Sequence, residues 1–194
     1  MLKIVVLPGV GFNEYDKTYH KFIKTLQERT KANVGFFNWM HDSHCESHCD
    51  KHILKDNNLR GKFFRRWVSE IILDFQSVIL KSDKIKIPEA EIYIGHSAGS
   101  ILALNKKPEK KIISMGSPAH LIATDFKLDR ERMLNIIHKN DPIAYPIEGI
   151  ENFFFDSSIL GVSKYLPLSA HSEYWKSKKV IDKILKQIRK WEND

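Results

Sequence analysis

Cysteine is scarce: the 194 residues contain two, too few for a disulfide-stapled scaffold. No apolar run approaches the ~20 residues a membrane-spanning helix needs. No glycine- or serine-rich linker, internal repeat or low-complexity block divides the chain. No RNA-binding aromatic motif or helix-turn-helix signature is present, so nucleic acid is not an expected partner. The opening stretch Met1–Gly9 has an apolar segment too short for an export signal and no small-residue cleavage site behind it. Together these absences predict a single domain over residues 1–194 in a reducing, cytoplasmic setting.

What is present suits a soluble domain. Hydrophobic residues make up 42% and charged residues 28%, enough of both for a sizeable core and a solvated surface. The net charge is +7. Such a balance favours peripheral contact with anionic surfaces, although the lysines are scattered beside predicted helices, as on an ordinary solvated face.

Apolar runs at 2–7, 33–39, 91–94, 111–115, 133–138 and 152–155 read as strands. Tyr19, Phe22, Ile23 and Leu26 recur at helical spacing, as do Phe64 to Ile79 and Val180 to Trp191. A polar excursion covers 40–61. Continuous apolar strands alternating with helices predict an α/β fold with a mostly parallel sheet of five or six strands. In such sheets ligands bind beyond the carboxyl ends of the strands.

One pentapeptide carries chemistry. Gly95-His96-Ser97-Ala98-Gly99 follows the strand Ile92-Tyr93-Ile94 and precedes the helical run Ser100 to Leu104. A serine on a sharp strand-to-helix turn has the setting of a nucleophile. The flanking glycines let strand and helix approach, and the helix N-terminus offers N–H groups to a nearby oxyanion. A serine hydroxyl needs a base, usually a histidine held by a carboxylate. His171, late in the loop 167–171 before the last helix, is the best placed of nine histidines. His120 and His138 are less well placed. Asp141, in His138-Lys139-Asn140-Asp141-Pro142 after the fifth strand, is the matching acid. Pro142 disfavours helix at the residue before it. Asp156 is the runner-up, ahead of Asp125 and Asp129.

These motifs resemble those of the α/β-hydrolases, and within them the class 3 lipase/esterase group. Gly95-His96-Ser97-Ala98-Gly99 matches the lipase elbow, with Ser100 where the lipase pattern has a second glycine. Ile113 to Pro118 is similar to that group's strand ending in a Gly-Ser/Thr-Pro turn. Asn140 to Pro146 resembles its acid loop, and His171-Ser172-Glu173-Tyr174-Trp175 its histidine segment. The resemblance implies an α/β-hydrolase fold and a Ser97-Asp141-His171 triad. It also implies an oxyanion hole formed by the N–H of Ala98 with that of Val10 or Gly11. The implied activity is hydrolysis of carboxylic esters through an acyl-enzyme, on a small-molecule or lipid-like acyl substrate, with no cofactor required. Phe12, Leu121, Ile122, Ile143, Tyr145 and Leu168 lie in loops near that site and are candidate pocket residues. Segments 116–130 and 157–170 are candidates to cover it. A thioesterase, an amidase or an acyltransferase would use the same triad, and a non-catalytic anion-binding module is the alternative of another class.

A second cluster lies in the polar excursion. His41, His44, Cys45, His48, Cys49 and His52 bring imidazole and thiol together, a donor set that suits zinc. No standard zinc-finger spacing is present. A zinc ion there would be structural, because Ser97 already supplies a nucleophile.

Overall fold

The computed structural model describes residues 1–9, 17–39, 85–119, 129–156 and 167–194, with side chains at 167–169 left aside. The expected long helix over Phe64 to Ile79 and the polar excursion at 40–61 lie outside these residues.

Six strands form one sheet: β1 (Lys3–Leu7), β2 (Asn33–Phe36), β3 (Ile92–His96), β4 (Lys111–Met115), β5 (Met133–His138) and β6 (Glu151–Phe155). Every pairing is parallel, in the order β2-β1-β3-β4-β5-β6. The helices are α1 (Lys17–Thr30), α2 (Ala98–Lys106), α3 (Pro167–Ser172) and α4 (Lys178–Asn193), with a one-turn 3-10 helix at Glu173–Trp175. The expected α/β class and strand number agree with this architecture.

The alternation of side chains along each strand sorts the core into two layers. Ile4, Val6, Ile92, Ile94, Ile113, Met115, Leu134 and Ile136 pack under α1 and α4, against Phe22, Leu26, Val180, Ile184 and Ile188. Val5, Leu7, Tyr93, Ile112 and Met133 face the other way, against Ala98, Ile101, Leu102 and Leu104 of α2. Both faces are therefore covered, as an all-parallel sheet requires.

Chain order fixes where a site can form. From β1 the chain moves outward to β2, then crosses back to place β3 on the opposite side of β1. The loops after β1 and β3 thus diverge at the carboxyl ends of their strands, where open α/β sheets bind ligands. Gly9 and Ser97 lie there in close contact.

Several boundaries differ from the sequence reading, β1 starting at Lys3 rather than Leu2 and β6 at Glu151 rather than Asn152. β2 ends at Phe36 rather than Trp39, because the buried Trp39 indole turns to donate Nε1–H to the Pro8 carbonyl at 2.8 Å. β3 starts one residue later and runs on to His96, paired with β4 up to the elbow itself. The segment 167–171, expected as a loop, is the short helix α3. Proline is well suited to a first helical position, where its missing N–H is not needed.

The elbow glycines are steric requirements. A Cβ on Gly99 would lie 2.1 Å from the Leu7 carbonyl oxygen, and one on Gly95 would lie 2.4 Å from Ser100 Cα. These are backbone atoms of packed elements and cannot give way. At Gly35 a Cβ would meet nothing within 4 Å. Gly99→Ala is therefore expected to destabilise the fold by about 3 kcal/mol or more, and Gly35→Ala to change it by less than about 1 kcal/mol. Urea denaturation of the two variants checks this; equal stabilities would contradict the close packing of α2 on β1.

Candidate active site

The site is built at the carboxyl edge from the ends of β1, β3, β4 and β5 and from α3. Ser97 follows β3 directly, with φ 51° and ψ −124°. Left-handed backbone is costly for a residue with a Cβ. The surrounding hydrogen bonds impose it: Ser97 N–H donates to Met115 O at 2.9 Å, and Ser100 N–H donates to Ser97 O at 3.0 Å. The Ser97 side chain makes no capping bond to α2. Ser97 is half-buried, while His96 and Ala98 on either side are buried.

Ser100, the departure from the lipase pattern, ties the turn to the end of β4. Its hydroxyl lies 2.5 Å from Ser97 O and 2.7 Å from Ser117 Oγ. Ser117 Oγ in turn accepts the Ala119 N–H at 3.2 Å. With one proton on each hydroxyl, the consistent order runs from Ala119 N–H to Ser117, from Ser117 to Ser100, and from Ser100 to Ser97 O. Gly9 closes the other side. A Cβ there would lie 2.8 Å from Ser97 Cβ and 3.0 Å from His96 Nδ1, so the start of the loop after β1 rests on the serine turn.

The structure brings His171 and Asp141 together. His171 Nδ1 is 2.8 Å from Asp141 Oδ2, with the carboxylate wholly buried and the imidazole side chain 16% exposed. Tyr174 O–H donates to the same Oδ2 at 2.7 Å, and Ile143 N–H donates to Oδ1 at 3.0 Å. Burial by itself would raise the Asp141 pKa. The bond and charge of His171, with the Ile143 and Tyr174 donors, outweigh it and hold the carboxyl below its usual range. Gly116, at φ +59°, makes room for the group: a Cβ there would lie 3.0 Å from the Tyr174 ring, 3.1 Å from His171 Cε1 and 3.2 Å from Asp141 Oδ2.

His96 was not expected to take part. Its Nε2 is 2.8 Å from the His171 carbonyl oxygen. Since a carbonyl only accepts, the proton sits on Nε2. The two imidazole rings lie 4.7 Å apart. Burial, followed by repulsion from His171, lowers the His96 pKa to about 3, so the ring stays neutral. Trp175 packs on His96 at 5.1 Å and on Tyr19 and Phe22 of α1 at 4.9 and 5.0 Å. This aromatic cluster seats the segment after His171 against the sheet. His138, the alternative base, is fully buried in β5, and burial lowers its pKa. Its Nδ1 accepts the Asn140 N–H at 3.1 Å, which leaves it a structural role.

Of the candidate pocket residues, Ile143 is buried behind Asp141, and Tyr145 is 47% exposed. Val10, Gly11, Phe12, Leu121 and Ile122 lie outside the described residues, as do the side chain of Leu168 and the zinc candidates His41, His44, Cys45, His48, Cys49 and His52. Among the described residues, no His/Cys/Asp/Glu group is disposed to hold a metal ion, and no helix is long and apolar enough to cross a membrane.

No protein-family model and no curated protein matches the chain. Among solved structures it is similar to a Xanthomonas campestris pv. campestris protein provisionally placed among hydrolases of the alpha/beta superfamily. Identity is 12%, with 91% of this chain and 99% of that chain covered and a TM-score of 0.46. It is also similar to dienelactone hydrolase from Anabaena variabilis, at 13% identity, 89% and 84% coverage and a TM-score of 0.43. A third is the esterase domain of a Rhodothermus marinus protein, at 13% identity, 88% and 87% coverage and a TM-score of 0.41.

The buried neutral His96 has a consequence for stability. Its pKa is about 3 folded and 6.5 unfolded, so between those values the unfolded chain binds the extra proton. Stability from this group is complete above pH 6.5 and declines as pH falls, by about 2 kcal/mol at pH 5. His138 acts in the same direction. Thermal melts are expected to show a Tm at pH 5 lower than at pH 7 by about 4–8 °C from His96 alone. His96→Gln, which keeps an amide donor, flattens that slope. An unchanged slope in His96→Gln would contradict a neutral buried imidazole.

Proposed function

We propose that the protein is a serine hydrolase acting on carboxylic esters, with Ser97 as nucleophile, His171 as base and Asp141 as its carboxylate partner. One observation carries the reading. A wholly buried carboxylate holds His171 Nδ1 at 2.8 Å, at the same sheet edge where Ser97 stands on a strained turn. Because Nδ1–H is committed to Asp141, Nε2 is the nitrogen left free to take a proton.

In this reading His171 Nε2 removes the Ser97 proton as Oγ attacks the acyl carbonyl. Asp141 keeps the imidazole in the productive tautomer and offsets the charge of the imidazolium. The tetrahedral oxyanion is met by the N–H of Ala98, at the start of α2 where the first N–H groups have no intrahelical partner, and by that of Val10 or Gly11 past Gly9. The imidazolium then protonates the departing alcohol, leaving an acyl-serine. Water, deprotonated by the same Nε2, releases the acid and regenerates Ser97. No metal or organic cofactor enters these steps. The acyl group is expected to lie along the loops carrying Ile143 and Tyr145, in a small-molecule or lipid-like substrate.

The test is hydrolysis of p-nitrophenyl butyrate beside a thioester and an anilide of the same acid. Ser97→Ala and His171→Ala are expected to lose at least about 1,000-fold in kcat, and Asp141→Asn a comparable factor, with folding retained. The ester is expected to be turned over fastest. Retention of ester hydrolysis by Ser97→Ala would overturn the nucleophile, and a preference for the thioester or anilide would overturn the substrate class.

A further inference from the structure

Tyr174 is fully buried and lies three residues beyond His171, in the one-turn helix Glu173–Trp175. Its ring packs at 5.2 Å on Phe155 and 5.4 Å on His96. Phenylalanine would fill that space equally well, so packing does not explain the hydroxyl. The hydroxyl sits between two partners of fixed character. It accepts the His138 N–H at 2.9 Å and donates to Asp141 Oδ2 at 2.7 Å. An amide N–H only donates, and an ionised carboxylate only accepts. The single phenol proton therefore has one place to go, and the donor cannot swing away.

Oδ2 is also the oxygen that holds His171. Two donors thus draw on the charge of one atom while Ile143 N–H pins the other oxygen. We propose that Tyr174 is a positioning residue for the base: its hydroxyl fixes the rotation of the Asp141 carboxylate and limits the negative charge that Oδ2 presents to His171. The proposal rests on the hydrolase reading above. Burial, followed by the Asp141 charge, pushes the phenol pKa up, so Tyr174 remains a proton donor throughout the working range. Among the described residues, the other titratable groups that the Asp141 charge reaches are His96 from β3 and His138 from β5, and Asp156 and Glu173 act in turn on His138.

Removing the hydroxyl has two separable effects. The carboxylate gains a rotational freedom that loosens the imidazole. Oδ2 also regains charge and holds the imidazolium more firmly, which moves the acidic limb of reactivity to higher pH. A tyrosine that merely stabilises the fold would lower Tm and leave both properties unchanged in the folded molecules.

The experiment compares the full-length wild type, Ser97→Ala, Tyr174→Phe and a variant with 3-fluorotyrosine at position 174. The fluorinated phenol keeps the hydroxyl and is the stronger donor. Two readouts are taken from pH 5 to 9: the rate constant for inactivation by a fluorophosphonate, per folded molecule, and the titration of the His171 ring nitrogens by 15N NMR. Tyr174→Phe is expected to slow inactivation about tenfold and to raise the His171 midpoint by roughly half a pH unit, consistent with loss of one hydrogen bond to a charged group. The fluorinated variant is expected to move the midpoint the other way. If the wild type is inactivated through Ser97 while both Tyr174 variants match its rate and midpoint, the positioning role is overturned and the hydrolase reading stands. If the wild type is not inactivated, both fall. Should Tyr174→Phe fail to fold, the fluorinated variant decides, because a midpoint equal to that of the wild type overturns the proposal by itself.

Discussion

Asp141 Oδ2 is the atom on which the carboxyl edge of this sheet depends. It lies in a place where an ionised oxygen is costly, and it stays ionised because His171 and Tyr174 both donate to it. Each donor belongs to the segment 171–174, while Asp141 belongs to the loop after β5. The same contact therefore closes the last part of the chain onto the sheet and sets the tautomer of the imidazole. Ile143 N–H on Oδ1 and the Asp141 N–H bond to His138 O at 3.0 Å hold the loop itself. A carboxylate with this many fixed donors is preorganised, and preorganisation is what makes a polar group useful in chemistry.

The serine wall of the site is held by backbone instead. Ser97 occupies left-handed space because α2 must start immediately after β3 and must lie close on β1. The missing side chains of Gly95 and Gly99 allow that approach, and Gly9 brings the loop after β1 down onto the turn. His96 joins the serine turn to the His171 segment. It leaves the serine turn and donates to the main chain of His171, so the strand that carries Ser97 also supports the segment of His171. A neutral ring suits this task, since a charged one would be unsatisfied in the core.

Much of this was legible in the sequence because it is local. The strands β1, β4 and β5 show as mainly apolar runs since both faces of the sheet are buried, with Ser114 and Asn135 as polar interruptions in β4 and β5. Ser97 shows because glycine is needed on both sides of it. Asp141 shows because it follows a strand and precedes Pro142. The pairing of Asp141 with His171 was an inference from chain order, and the fold supplies the distance. Tyr174 and His96 were not assigned roles, because their partners lie 33 and 75 residues away and no periodic pattern marks such contacts. Ser100 was visible as a departure from a pattern, yet its bonds to Ser97 and Ser117 follow only once β3 and β4 pair up to the elbow. The α3 helix was read as loop because six residues are too few to show helical periodicity.

The central claim is that Ser97 is an activated nucleophile served by His171. The most direct measurement is to treat the protein with a fluorophosphonate and locate the adduct by intact mass and peptide mapping. The account predicts one phosphonyl group per chain, on the peptide containing Ser97, and no adduct in His171→Ala over the same time. An unmodified protein, or an adduct on a different serine, would contradict it.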